Sequence, residues 1–406
     1  MKRMYWTPAV IIMAMIIVSY FCIADGRVQG GVSAGLRLPG ARAVIDAGLY
    51  PTIQAAIDAL PDEGGLVRLP PGTFEISEPL MVTKSDVLIQ GAGTATHIKN
   101  VNTAGKSALI IQHPGGGDDR KAELWRIRLA DFRITGNEKS GHGIEARRIN
   151  EVFIDGVTVS YHGGDGIRLY FCYEDPRICN SLMTYNKKTG LDIIGCHDVV
   201  VSGNQFEENH DALRFIDGFN LCMTGNCLDD HLGDGVVIEN TYGSVVSGNM
   251  IEECNGTAIV LDRDCYGIAL SANVIAHDAA GGIALRDAHG CTVSANTFTI
   301  MGKDALNIGP ASGRITVTGN NFSNSYIGAD KVKREANDLA AAGMVLNGTS
   351  GVAVTGNLFS GLRPNALSLE GPASRHVLFS DNVLVDTTGD HKKLEASLVK
   401  DNLEDE

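Results

Sequence analysis

The sequence predicts an all-β solenoid, a right-handed single-stranded parallel β-helix, on three observations. A V-x-G-N-x-F motif recurs along the chain, most of its copies stand 22 to 25 residues apart, and 48 of the 406 residues are glycine. The copies read VSGNQF, MTGNCL, VSGNMI, LSANVI, VSANTF, VTGNNF, VTGNLF and FSDNVL. Their asparagines are Asn204, Asn226, Asn249, Asn273, Asn296, Asn320, Asn357 and Asn382. The one wide spacing, 37 residues between Asn320 and Asn357, marks a loop inserted at 326–338.

Each column of the repeat has a physical reason. Two positions after each Asn stand Phe206, Leu228, Ile251, Ile275, Phe298, Phe322, Phe359 and Leu384. Three before stand Val201, Met223, Val246, Leu270, Val293, Val317, Val354 and Phe379. Both columns are wholly apolar and face a core. Short strands closed by glycine turns fit one coil per repeat, with equivalent side chains stacked about 4.8 Å apart. Asparagine suits an inward turn of such a stack, because its amide both donates and accepts along the ladder. Upstream, LADFRI, FIDGVTV and ICNSLM keep the register without the Asn, at Phe132, Val157 and Ser181. Leucine-rich repeats also carry a periodic Asn, but their leucine density and helical segment are missing.

The ends differ from the repeat. MKRMYWTPAVIIMAMIIVSYFCIADG has basic Lys2 and Arg3, a charge-free run from Ala9 to Val18, and small Cys22 and Ala24 ahead of a cleavage point. This predicts a secretory signal peptide over 1–24, an uncleaved anchor being the rival, and a secreted or periplasmic protein with no membrane segment after cleavage. The β-helix domain then occupies 25–388, and 389–406 is a C-terminal cap, helical or otherwise, or a flexible tail. A monomer is expected. The net charge of -14 argues against nucleic acid and anionic membranes as partners, yet a local basic groove can still take an anion. Eight of the nine cysteines follow the signal peptide, and their spacing fits no zinc pattern. Disulfides (Cys172 with Cys179, or Cys222 with Cys227) and buried thiols are both open. The Gly-rich GGGDDR at 115–120 lacks the Lys-Ser/Thr of a phosphate loop.

Charge gathers on one face. The strands GIEAR, GIRLY, GLDII, ALRFI, GVVIE, AIVLD, GIALR, ALNIG, GMVLN and ALSLE align, with their second and fourth residues inward and the third outward. The outward column runs Glu145, Arg168, Asp192, Arg214, then Val237, Val260 and Ala284. The residue before each strand supplies His142, Asp165, Thr189, Asp211 and Asp234, and the fifth position adds Arg147, Tyr170 and Glu239. Bland explanations compete. Alternating signs one rung apart can neutralise each other as a ladder. Asp165, Asp211, Asp234 and Asp304 recur as turn residues would.

The opening YPTIQAAIDALP has helical spacing and leads into GGLVRLPPGTFEI with its PPGTF turn. This stretch resembles the N-terminal cap and first coils of the pectate-lyase superfamily, and the resemblance extends over about residues 48–388. It implies a capping helix, a polysaccharide partner, and a substrate groove on the sheet that bears the charged column. The catalytic candidates are then Arg214, His210, Asp211, His142 and Asp192. The substrate-binding candidates are Glu145, Arg168, Tyr170, Asp165, Asp234 and Glu239. No metal ligands are assigned and the cofactor is unknown, although calcium would suit acidic turns such as Asp229–Asp230 or Asp262–Asp264.

The chemistry of these groups favours one reaction. A polysaccharide lyase needs a cation beside the uronate carboxylate, a base for the proton α to it, and a proton donor. Arg168 and Arg214 supply the cation; His142, His210 and Tyr170 are titratable. C5-epimerisation begins with the same abstraction. A glycoside hydrolase needs two carboxyls, about 5 Å or roughly 6.5–9.5 Å apart, to be found among Asp165, Asp211 and Asp234. The GHG at 141–143 resembles a polygalacturonase motif, but here it precedes the aspartates and has no Arg-x-Lys partner. The Asp-Pro-His motif of alginate epimerases is absent. β-Elimination of an acidic, uronate-containing polysaccharide is the preferred reading. A hydrolase, a C5-epimerase and a non-catalytic glycan-binding surface protein stand as alternatives.

Overall fold

The computed structural model describes residues 38–116, 122–323 and 342–405. From residue 42 onward the described chain coils into three parallel sheets of 12, 14 and 18 strands. One coil shows the plan. Leu191–Ile194 lies in the 12-stranded sheet, Val200–Ser202 in the 18-stranded sheet and Gln205–Glu207 in the 14-stranded sheet, before Leu213–Ile216 returns to the first.

Both apolar columns align residue for residue. Val201 pairs with Met223, then Val246, Leu270 and Val293, and Phe206 pairs with Leu228, then Ile251, Ile275 and Phe298. All of them are buried, and each contributes about 1.5–3 kcal/mol by leaving water. Phe298, Phe322 and Phe359 stack with centroids 4.7 and 4.8 Å apart.

The asparagine ladder satisfies its own polar groups inside this core. Asn226 Oδ1 accepts the backbone N–H and the Nδ2 of Asn204, both at 3.0 Å, while Asn226 Nδ2 donates to Val201 O at 3.1 Å. The pattern repeats down to Asn382, and Ser181 joins it at the top by donating its backbone N–H to Asn204 Oδ1. The residue before each Asn turns left-handed. Gly203, Gly225, Gly248, Gly319 and Gly356 take φ of 64° to 67°, which accounts for the glycine of the motif. Ala272, Ala295 and Asp381 accept the same strain at 55° to 58°.

A second inward column, at the turn between the 14- and 12-stranded sheets, was not legible beforehand. It holds His162, Asn186, Asn209, His231, Cys254 and Asp278, all buried. Asn186 Oδ1 accepts from His162 N at 3.1 Å, and Asp278 Oδ1 accepts from Cys254 N at 2.9 Å. Burial holds both histidines down at about 4 and raises the Asp278 carboxyl well above the usual carboxylate range.

The ends correct part of the sequence reading. The helix is confined to Ile53–Asp58, capped by the Thr52 side chain, with Ile53, Ala56 and Ile57 buried. Gln54 ties it to the first coils through both hydrogen bonds of the Met81 backbone. Residues 389–406 form no helix where described. Leu394–Glu395, Leu398–Lys400 and Leu403–Glu404 are strands that extend the stack, and Asn402 carries the ladder one rung further. The signal peptide over 1–24 and the loop at 326–338 lie outside the described residues. No helix among the described residues is long and apolar enough to cross a membrane. All eight described cysteines are free, so neither Cys172–Cys179 nor Cys222–Cys227 is a disulfide.

Candidate functional site

The 12-stranded sheet pairs Glu145 with Arg168, Arg168 with Asp192, Asp192 with Arg214, and Arg214 with Val237. The predicted outward column is therefore continuous, with Ile110 above Glu145 and the apolar rungs below Arg214. Four charged side chains thus stand on successive rungs.

Asp192 occupies the middle of this column and is unusual. Its side chain is only 5% exposed, with Oδ2 3.6 Å from Arg168 Nε and Oδ1 4.0 Å from Arg214 Nη1. Those distances give charge attraction but no hydrogen bond, and Oδ1 is buried without a hydrogen-bond partner. Burial, then the negative charge of Asp165, raises the Asp192 carboxyl above its ordinary range; the two arginines and His142 pull it back less.

Asp165, one rung above, is shifted the other way. Burial works against its charge, but the hydrogen bond and charge of His142, the Thr189 backbone N–H and Arg168 together hold its carboxyl below the usual range. His142 Nδ1 stands 3.0 Å from Asp165 Oδ2, and His142 Nε2 lies 3.5 Å from Arg168 Nη1. His142 Nδ1 also accepts the Asp165 backbone N–H at 3.0 Å, so the ring is held against Asp165 on one side and Arg168 on the other. An oriented imidazole thus stands near a second carboxyl, Asp192, that keeps its proton to higher pH. Two carboxyls with opposed environments are the arrangement from which acid and base roles arise.

The remaining predicted residues divide. Glu145 is buried and fully engaged: Arg147 donates to Oε1 at 2.9 and 2.6 Å, and Ser107 Oγ donates to Oε2 at 3.1 Å. Arg147 also lies over the Tyr170 ring at 5.9 Å, so Glu145, Arg147 and Tyr170 form one wall of the face. Ser107 was missed because its coil lacks the repeat motif. His210 is 59% exposed and its Nδ1 meets Asp211 Oδ1 at 3.1 Å. Asp211 Oδ1 accepts the Asp234 backbone N–H at 2.9 Å, and Asp234 Oδ1 accepts that of Thr257 at 2.7 Å. Both aspartates thus build the turn, as their recurrence suggested. Glu239 stands apart from Tyr170, with Ile194 and Ile216 between them, and pairs with Arg263 at 2.8 Å.

For metal, the described residues hold one group of three or more convergent donors, Asp229, Asp230 and Glu253. Crowding of these carboxyls, after burial, pushes Asp230 up to about 6. Asp262 and Asp264 do not converge with a third donor among the described residues.

A protein-family comparison matches residues 179–338 to the family described as periplasmic copper-binding protein (NosD). Copper takes imidazole and thiolate ligands, whereas the one convergent group described here is all carboxylate oxygen; the described residues do not fit copper. No curated protein matches the sequence. Among solved structures, the A-module of the Azotobacter vinelandii mannuronan C-5 epimerase AlgE6 is similar at 16% identity and a TM-score of 0.55, over 89% of this chain and 99% of that one. DFA-IIIase from Arthrobacter chlorophenolicus A6 is similar at 12% identity and 0.55, over 89% and 99%. Tailspike protein 3 of bacteriophage CBA120 is similar at 12% identity and 0.56, over 80% of this chain. The chain spans 59% of that tailspike and 60% of ORF18 of Geobacillus virus E2. With its three parallel sheets, its asparagine ladder and its likeness to these structures, the chain is a right-handed parallel β-helix repeat protein.

Proposed function

We propose that the chain is a secreted or periplasmic protein that acts on an acidic, uronate-containing polysaccharide by β-elimination. The observation that carries this reading is the opposed shift of two neighbouring carboxyls, Asp165 held ionised beside His142 and Asp192 held toward its protonated form between two arginines. Arg168 and Arg214 neutralise the substrate carboxylate and so acidify C5. His142 removes the C5 proton; that electron pair forms the C4–C5 double bond while the C4–O4 bond breaks. Asp192 delivers a proton to the departing O4. Asp165 is a positioning residue that holds the His142 ring in place. The fold-level likeness to a mannuronan C-5 epimerase module, a tailspike and DFA-IIIase supports a glycan as ligand. C5-epimerisation would use the same abstraction and return the proton to the opposite face.

Purified protein incubated with polygalacturonate, alginate, hyaluronate and neutral galactan, with and without calcium, tests the reading. New reducing ends together with the ultraviolet absorbance of an unsaturated uronate, on an acidic polymer only, are the expected result. Reducing ends without that absorbance would move the reaction to hydrolysis.

A further inference from the structure

A hollow lies on the 18-stranded sheet, away from the charged column of the 12-stranded one. Register stacks Arg128, Phe153 and Arg177 on three successive coils, with Asp155 paired to Cys179 two positions further along the strands. Ile154, between Phe153 and Asp155, is fully buried, so its two neighbours point outward. About 260 Å³ of open space lies over these side chains, lined also by Asn180.

These groups are not equally committed. Asp155 accepts from Arg128 Nη2 at 2.6 Å and from Asn180 Nδ2 at 3.0 Å, which fixes both donors and offsets the Arg128 charge. Its side chain is still 34% exposed, so the carboxylate keeps lone pairs for a hydroxyl. Arg177 is exposed, and its guanidinium has no ion pair or hydrogen bond among the described residues. By contrast, Arg42 and Arg126, which line the next hollow along the column, both reach Asp86, at 3.1 and 2.7 Å. The Phe153 ring is half-buried, and among the described residues no guanidinium or second ring lies over it.

Each group selects one part of a ligand. A flat aromatic ring gains on Phe153 more than its buried area alone supplies. A carboxylate matches the planar fork of Arg177, and a ring hydroxyl can donate to Asp155. Asp155 already balances Arg128, so one positive charge is left over and calls for one negative charge on the ligand. The volume suits a single ring rather than a run of sugars. We infer that this hollow binds a small hydroxylated aromatic monocarboxylate. It shares no residue with the charged column and does not depend on the reaction proposed there.

Calorimetric titration of the full protein with para-hydroxybenzoate tests it. Saturable binding is expected, weakened about tenfold in Arg177→Ala, the scale of one charged hydrogen bond. Phe153→Ala should weaken it by a similar factor, whereas Arg214→Ala, on the other sheet, should leave it unchanged. Para-hydroxybenzyl alcohol, the same ring without the carboxylate, should bind at least about tenfold less tightly than the acid. Absence of saturable binding, or equal affinity in Arg177→Ala, Phe153→Ala and the unaltered protein, overturns the site and leaves the proposed reaction standing. Galacturonate binding there as tightly as para-hydroxybenzoate would overturn the aromatic class of the ligand. Binding lost in Arg214→Ala but kept in Arg177→Ala would place the ligand on the charged column and also sink the inference.

Discussion

Asp192 Oδ1 lies 4.0 Å from Arg214 Nη1, close enough to feel its charge and too far to hydrogen-bond with it. A buried carboxylate is ordinarily paired or neutral. Here the arginine stays available to an incoming anion, and the carboxyl is left toward its protonated form.

Asp192→Asn follows from that relationship. Turnover should fall by about 10²- to 10⁴-fold, the usual worth of a positioned acid. Stability should move the other way. The folded carboxyl binds its proton more tightly than the unfolded one, so its stabilising contribution is complete below 3.8 and is lost as pH rises through the folded value. Melting curves should show the variant more stable than the parent at neutral pH, with the gain vanishing in acid.

Asp165→Asn should cost both activity and stability. The amide can still accept the Thr189 backbone N–H but loses the negative charge that stands 3.0 Å from His142 Nδ1. A loss of about 10²- to 10⁴-fold in kcat is expected. The folded carboxyl is held below its ordinary range, so its contribution is present above 3.8 and disappears as pH falls through the lower folded value. Urea denaturation at neutral pH should register a loss of about 2 kcal/mol.

Asp278→Asn should stabilise the protein. Asn186 and Asn209 already occupy equivalent places in that column, and Asp278 Oδ2 is buried without a partner. Above 3.8 the unfolded carboxyl has lost its proton while the folded Asp278, held well above its ordinary range, keeps it until its folded value is passed, which makes stability fall with rising pH. His162 and His231, held at about 4, have the opposite effect over the same range. Removing Asp278 should therefore steepen the rise of stability with pH above 3.8, measured by denaturation at several pH values.

Asn296→Ala tests the ladder. It removes the Nδ2 bonds to Asn320 and Leu270 and strands the Asn273 N–H and Nδ2 that its Oδ1 accepts. Each stranded buried group costs about 1–3 kcal/mol, so a loss of at least 3 kcal/mol is expected, against little change for exposed Asn321→Ala.

The core and the charged column were legible because both follow the repeat: a fixed spacing puts Phe206 over Leu228 and Arg168 over Asp192 whatever the coil detail. The second polar column was not, since His162, Asn186, Cys254 and Asp278 share a place without sharing a residue type. Pairing within the face was also hidden. Sequence alone cannot say that Asp211 spends its oxygen on the Asp234 N–H while Asp192 spends none, nor that Glu239 turns to Arg263.

The central claim is proton abstraction at C5, and deuterium reports it most directly. The purified protein is incubated with an acidic polysaccharide in D2O, and the C5 position of substrate and products is followed by NMR. Loss of the C5 proton at the site of reaction, abolished in His142→Ala, is the predicted result for elimination and for its epimerising variant. Chain shortening with every C5 proton retained would contradict it and leave hydrolysis as the reaction of this face.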